Sequence, residues 1–210
     1  MYWNTVEISL KNCLLLLMDA PEFSVFRLVG GTGLSLQLGH RMSVDIDLFT
    51  DALYNSVDFA ALDTFLLKHF KYVDTSFGIL PGMGRSYLVG DDIDHAVKLD
   101  IYYTDDFIQQ PIVVDQIRIA TIEEIIAMKV DVIARTGRKK DFWDLHELLN
   151  NYTIPQMIAL HELRYPYNHD EELIRRNFID FSLADEDFDP NCLRGEYWEL
   201  IKLDFFEALQ

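Results

Sequence analysis

The sequence predicts an α+β fold: a mixed, twisted sheet flanked by helices across residues 1–120, then a helical lobe packed on it across residues 121–210. Three observations carry this expectation. Short β-prone runs, parted by Gly, Pro and Asp turn residues, fill the first part. Helix-capping signatures and apolar residues at helical spacing take over in the second. Half of the 210 residues are hydrophobic, enough for a sizeable core and contrary to disorder.

Within residues 5–19, Leu10, Leu14, Leu17 and Met18 form a helical stripe that Pro21 ends. Phe23–Val29 reads as a short buried strand running into Gly30-Gly31. Thr32 then opens a short helix, Gly33–Leu38, closed by Gly39. Ser43–Phe49 alternates, with Val44, Ile46 and Leu48 apolar and Ser43, Asp45 and Asp47 polar, as on a strand with one wet face. A second amphipathic helix is expected over 58–69, and strands near 71–79, 85–90 and 95–103. Turns at Pro81-Gly82-Met83-Gly84 and Asp91-Asp92 separate those strands, and a hairpin near 112–119 closes the sheet. Thr121-Ile122-Glu123-Glu124 is a capping-box signature, and Thr153-Ile154-Pro155-Gln156 is another, with Pro155 tolerated in a first turn. Further helices are expected at 170–181 and 195–209.

Composition narrows the function. A formal charge of -17 argues against a broad nucleic-acid-binding surface, which needs extended positive potential. Yet Lys129, Arg135, Arg138, Lys139 and Lys140 place five of the eighteen basic residues in one short stretch, so a metal–nucleotide complex could be held locally. Cys13 and Cys192 stand far apart, in neither a disulfide framework nor a zinc pattern. The N-terminus lacks the basic region of a signal peptide, and the longest apolar run, Leu14–Met18, is too short to cross a bilayer. A cytoplasmic protein without membrane attachment is expected.

Asp45 and Asp47, two apart on one strand, share a face. Adjacent carboxylates repel, and a divalent cation removes the conflict. Hard oxygen donors suit Mg²⁺ (or Mn²⁺), with water and phosphate oxygens completing its shell. Asp100, in Val97-Lys98-Leu99-Asp100-Ile101, would be a third ligand if its strand neighbours theirs. Three such acids can hold two ions in line with a transferring phosphoryl group, and the third is a natural proton acceptor. The alternative is a set of solvent-facing acids on an edge strand. Gly30-Gly31-Thr32 weighs against that alternative, because a glycine turn at a helix start lets backbone N–H groups approach phosphate.

Residues 27–49, from Arg27-Leu28-Val29-Gly30-Gly31-Thr32 through Gly39-His40-Arg41 to Asp45-Ile46-Asp47-Leu48-Phe49, resemble the first motif of the AbiEii/AbiGii-type nucleotidyltransferases of the polymerase-beta superfamily. A second block, Met128-Lys129 through Arg135 to Lys139-Lys140-Asp141-Phe142-Trp143-Asp144-Leu145, is similar to that family's downstream lysine and basic-Asp-x-x-Asp-Leu motif. The resemblance spans roughly residues 25–150 and leaves the C-terminal 60 residues unmatched. It implies a polymerase-beta-type core and Mg²⁺-dependent transfer of a nucleoside monophosphate from an NTP to an acceptor hydroxyl, which for some relatives is a tRNA end; a protein side chain is the alternative acceptor. It also implies the toxin side of a toxin–antitoxin or abortive-infection system, with an antitoxin partner.

On this reading the metal ligands are Asp45, Asp47 and Asp100, and the catalytic set adds Lys129. Gly30, Gly31, Thr32, Ser43, Lys129, Lys140 and Asp141 bind the nucleotide. The resemblance puts Lys129 on the triphosphate as a point charge; snorkelling to solvent is its bland alternative. Asp141 and Asp144, three apart on one helix face, would brace Lys129, Lys140 or Arg135; the alternative for Asp141 is a helix N-terminal acid. His40 and Arg41 would contact phosphate, orient Asp45 or hold the loop, and Ser43 would bond the nucleotide or cap a turn. The rival function is a non-catalytic nucleotide-binding or partner-binding module on the same fold.

Overall fold

The computed structural model of the chain describes residues 1–74, 82–135 and 137–209. The strands are β1 (Arg27–Leu28), β2 (Asp45–Thr50), β3 (Tyr72–Asp74), β4 (Gly84–Gly90), β5 (Val97–Tyr103), β6 (Ile112–Val114) and β7 (Ile117–Ile119). The helices are α1 (Ile8–Asp19), α2 (Gly30–Leu38), α3 (Phe59–His69), α4 (Ile122–Arg135), α5 (Lys139–His146), α6 (Ile154–Arg164), α7 (Glu171–Asn177) and α8 (Trp198–Ala208). The strands form one mixed sheet in the order β3-β4-β5-β2-β1-β7-β6. β2 is central, parallel to β5 and antiparallel to β1. The α+β class, with its flanked mixed sheet, is therefore as the sequence predicts.

The alternation in β2 decides which face meets which helices. Ile46 and Leu48 are fully buried in a core with Leu10, Leu14 and Leu17 of α1 and Leu62 and Leu66 of α3. Asp45, Asp47 and Phe49 take the opposite face, where Phe49 packs on a second core. That core joins Leu34 of α2 and Ile125, Ile126, Val130 and Ile133 of α4 to Phe142, Phe178, Phe181, Trp198 and Phe205. In it Phe142 meets Phe181 and Phe205 edge to face, 5.0 Å and 5.7 Å away between ring centroids. No helix among the described residues is long and apolar enough to cross a membrane.

Several expectations shift. The expected strand Phe23–Val29 shrinks to Arg27–Leu28, because Pro21–Phe23 is a 3₁₀ turn and the N–H of Phe26 is taken by the carbonyl of Phe23. The apolarity of Phe23 and Phe26 fills the core from a turn. The first helix starts at Ile8 rather than residue 5, after a 3₁₀ turn at Trp3–Thr5. The second begins at Gly30, so both glycines belong to its first turn. The helix expected at 170–181 ends at Asn177, and Phe178 and Phe181 are buried beyond it. Thr153 and Gln156 form a complete capping box. At Thr121 only half of one forms: its hydroxyl accepts from the N–H of Glu124, but the Glu124 carboxylate turns away to the N–H groups of Ile108 and Gln109 and to a buried ion pair with Arg164. A buried guanidinium outbids a helix N–H for a carboxylate. The strand expected near 71–79 and the turn at Pro81 fall partly outside the described residues, as does Thr136.

Candidate active site

The register of β2 against β5 sets Asp45 beside Lys98 and Asp47 beside Asp100, four charged side chains on one face of two adjacent strands. The neighbour on which Asp100 depended is thus present. Asp100 Oδ2 accepts a 2.6 Å hydrogen bond from Lys98 Nζ, while its Oδ1 is buried with no partner. Lys140 Nζ lies 3.9 Å from Asp45 Oδ2. Burial, reinforced by the Asp100 and Asp45 charges, pushes the Asp47 carboxyl up to about 6 even though Lys98 and Lys140 pull the other way.

Two glycines make room for this chemistry. Gly30 has φ +67°, and a Cβ there would sit 2.3 Å from Asp47 Oδ2. A Cβ on Gly31 would sit 2.4 Å from Arg41 Nη2. The start of α2 therefore lies directly against an acid on one side and a guanidinium on the other. Thr32 and Ser43, expected at the nucleotide, spend their hydroxyls inward. Thr32 Oγ1 lies 2.8 Å from Ser43 Oγ and also bonds the carbonyl of Asp45, so together they moor α2 to the start of β2. Both side chains are buried.

Beneath the turn is a buried charge network. Asp144 accepts from Arg41 Nε at 2.6 Å and Nη2 at 2.7 Å, meets His40 Nε2 at 2.7 Å, and pairs with Lys129 Nζ at 2.5 Å. Lys129 also donates to Asp141 Oδ1 at 2.8 Å, and Arg138 Nε donates to Asp141 Oδ2 at 2.8 Å. Burial would lower the Lys129 pKa, but Asp141 and Asp144 outweigh it and raise it. Burial would likewise raise Asp144, but Arg41 and Lys129 hold it well below the carboxylate range. Burial keeps His40 low and neutral against the pull of Asp144. A neutral ring with its proton on Nε2 leaves Nδ1 a bare acceptor, in keeping with the buried, partnerless His40 Nδ1. Lys129 is thus braced between two carboxylates, and His40 and Arg41 bind Asp144 rather than Asp45.

These groups line a cleft of about 310 Å³ that includes Gly30, Gly31, Asp45, Asp47, Asp100, Lys129, Arg138, Lys140 and Asp141. Arg41, Lys98 and Arg135 also reach it. Lys139 does not line it; its Nζ pairs with Asp189 at 2.9 Å and lies over the Trp198 ring. Among the described residues no group of three or more acid, histidine or cysteine side chains is placed to hold a metal ion, so Asp45, Asp47 and Asp100 do not converge on one ion in this arrangement. The donors nevertheless fit an open Mg²⁺ half-site. They offer hard carboxylate oxygens, an orphaned Asp100 Oδ1, and an Asp47 whose charge is disfavoured by burial and by its neighbouring carboxylates, a penalty that a cation would relieve.

Sequence reasoning missed one contributor. Residues 187–193 are stitched to the active-site loop: Met42 N–H donates to the carbonyl of Asn191, Leu193 N–H to the carbonyl of His40, and Lys139 N–H to Asp187 Oδ2. Only Asp187-Phe188-Asp189-Pro190, a polar turn with one aromatic, marks this segment in the sequence.

Comparison with known proteins extends the resemblance over most of the chain. The family described as "Nucleotidyl transferase AbiEii toxin, Type IV TA system" matches residues 14–210, the C-terminal region included. An uncharacterised protein of Aquifex aeolicus (strain VF5) is 28% identical over 198 residues, covering 87% of this chain and 84% of its own. A crystal structure from H. pylori, described as a candidate nucleotidyltransferase, superposes with a TM-score of 0.60 at 21% identity, over 96% of this chain and 90% of that one. MenT4, a nucleotidyltransferase toxin from Mycobacterium tuberculosis H37Rv, superposes with a TM-score of 0.51 at 15% identity, over 92% of this chain and 82% of that one. At such identities the two superpositions speak for a shared fold.

Proposed function

The chain belongs to the AbiEii nucleotidyl transferase toxin family of type IV toxin–antitoxin systems, and on that premise we propose that it moves a nucleoside monophosphate from an NTP to an acceptor hydroxyl, with Mg²⁺ (or Mn²⁺) held by Asp45, Asp47 and Asp100. The observation that carries this reading is the parallel register of β2 and β5, which sets Asp47 beside Asp100 against a glycine turn with no room for a Cβ. Bound there, the metal would lower the pKa of the acceptor hydroxyl and neutralise the leaving pyrophosphate.

The chain's own groups do the rest. The turn at Gly30 and Gly31 admits the β- and γ-phosphates to backbone N–H groups. Arg138 and Lys140, both partly exposed at the cleft, supply positive charge to the triphosphate. Lys129 contributes its charge from below, fixed in place by Asp141 and Asp144. Asp100 Oδ1, free of hydrogen bonds, is the base that accepts the acceptor's proton. The acceptor is a tRNA end or a protein side chain, and an antitoxin restrains the activity in its host.

Incubation with each labelled NTP, Mg²⁺ and either total tRNA or lysate tests this. Label should pass to an acceptor with the wild-type chain and not with Asp47→Ala. NTP binding without transfer to any acceptor would replace the reading with a sensor role.

A further inference from the structure

A groove of about 690 Å³ opens where β2 ends at Thr50 and β5 ends at Tyr103. It shares no lining residue with the catalytic cleft. One side is the loop that follows β2, and another is the end of α6 with the turn beyond it. Each side holds apolar groups in water. Leu53 is 84% exposed and Tyr54 56% on the first, and Leu163 is 67% exposed and Tyr167 72% on the second. Exposed apolar residues scattered singly are ordinary, but four lining one concavity mark an interaction site.

The groove is also preformed. The Tyr103 hydroxyl accepts the Val57 N–H at 2.7 Å, and its ring lies 5.4 Å from that of Tyr54. Asn55 takes a left-handed φ of +67° inside a turn closed by Ser56 N–H on the Leu53 carbonyl, so the loop is held in one shape. Behind residues 104–106, the buried Arg164 pairs with Glu124 and donates to Thr104 Oγ1 at 2.9 Å and to the Asp106 carbonyl at 3.0 Å. An occupant therefore binds without first ordering its site. Charge selects that occupant. Asp105 and Asp106 are exposed on the groove, and Asp51 has Arg27 only at 3.9 Å. Among the described residues lining the groove Arg164 is the only basic one, and Glu124 neutralises it. On a chain of net charge -17 this surface disfavours nucleic acid, an anionic bilayer and a second copy of the chain. Tyrosine faces next to carboxylates suit a guanidinium or ammonium, which the rings attract and the acids neutralise.

We propose that this groove docks a partner protein through a basic segment whose arginine or lysine side chains are interspersed with apolar ones. The apolar side chains fill the space lined by Leu53 and Leu163, and the cations lie over Tyr54 and Tyr167 toward Asp105 and Asp106. The inference is independent of the transferase reading, because the groove is separate from the cleft and its occupancy is read without turnover.

The test uses the full chain and two short labelled peptides, one of leucine and arginine at helical spacing and one with glutamate in place of arginine. Fluorescence anisotropy should show the arginine peptide bound and the glutamate peptide free. Leu53→Ser and Leu163→Ser should each weaken binding about tenfold or more, and neither exposed position threatens folding. The double change Asp105→Asn and Asp106→Asn should weaken it most at low salt. Leu200→Ser, exposed on α8 away from the groove, should leave it unchanged. Equal affinity in wild type and both leucine variants would overturn the proposal, as would equal binding of the two peptides. A photo-reactive benzophenone side chain in place of Leu163 carries the test into the native host. It should cross-link a protein at a segment bearing lysine or arginine among apolar residues, and Leu53→Ser should suppress that product. Cross-links only to a second copy or to nucleic acid, or none at all, would overturn the proposal.

Discussion

Asp144→Asn removes one charge from the centre of the buried network and leaves the side chain's shape nearly intact. In the wild type Asp144 neutralises Arg41 and Lys129 at once, through contacts of 2.5 to 2.7 Å in a fully buried setting. Without it, Arg41 keeps only its bond to the Met42 carbonyl and Lys129 only Asp141. Breaking a buried ion pair on one side costs about 3–5 kcal/mol, and the amide oxygen recovers part of the hydrogen bonding, so a loss of about 3 kcal/mol is expected. For a chain of this size that is a fall in Tm on the order of 6–12 °C. Urea titration and thermal melting measure it. Adding Lys129→Met should then cost about 1 kcal/mol or more less than it does in the wild type, because an unpaired ammonium is removed. The sign with pH is fixed. Asp144 is held below its unfolded value of 3.8, so its contribution is present above that pH and is lost as pH falls through the folded value. The gap between variant and wild type should therefore narrow in acid. A loss under about 1 kcal/mol, or strict additivity with Lys129→Met, would show that Asp144 does not hold Lys129.

Three further outcomes follow from the site. Gly30→Ala forces a Cβ to within 2.3 Å of Asp47 Oδ2 at a φ of +67°; transfer should fall about a hundredfold or more, roughly 3 kcal/mol of transition-state stabilisation, with the far-UV spectrum retained. Lys98→Gln frees Asp100 of its intramolecular cation, so Mn²⁺ followed by calorimetry should bind several-fold more tightly, a gain of about 1 kcal/mol. Asp47→Asn should stabilise the metal-free chain. The Asp47 pKa is raised from 3.8 to about 6, so the folded state gains from its proton below about pH 4 and has lost that gain above about 6. At about 1.4 kcal/mol per pKa unit the ceiling is about 3 kcal/mol, visible by denaturation in EDTA at neutral pH and absent at pH 4. A variant no more stable than wild type at neutral pH would contradict the strain ascribed to Asp47.

The acidic face of β2 was legible because a strand's period is rigid. Asp45 and Asp47 had to share a side once Ile46 and Leu48 claimed the core. Pairing of β5 with β2 is a long-range choice that local pattern suggests but does not dictate. Thr32, Ser43, His40 and Arg41 show where local pattern runs out. Each has side-chain chemistry suited to a phosphate, and each also bonds inside the protein, Thr32 with Ser43, and His40 and Arg41 with Asp144, while Arg41 still reaches the cleft. Which partner a polar group takes depends on what tertiary packing brings within 3 Å, and the sequence carries that only implicitly. Glu124 repeats the lesson, since its buried partner Arg164 lies on another helix. Phe188 was invisible for the opposite reason. One aromatic in an acidic turn reads as filler until the fold places it beside Asp45.

The seam between residues 40–42 and 191–193 also has a consequence in time. A ribosome releases the chain from its N-terminus, so the acids at 45, 47 and 100 emerge long before the strand of backbone that fastens their loop. Until Asn191 and Leu193 arrive, Met42 and His40 lack those partners. A nascent or truncated chain ending before residue 187 thus carries the acidic face without Phe188 or its stitches.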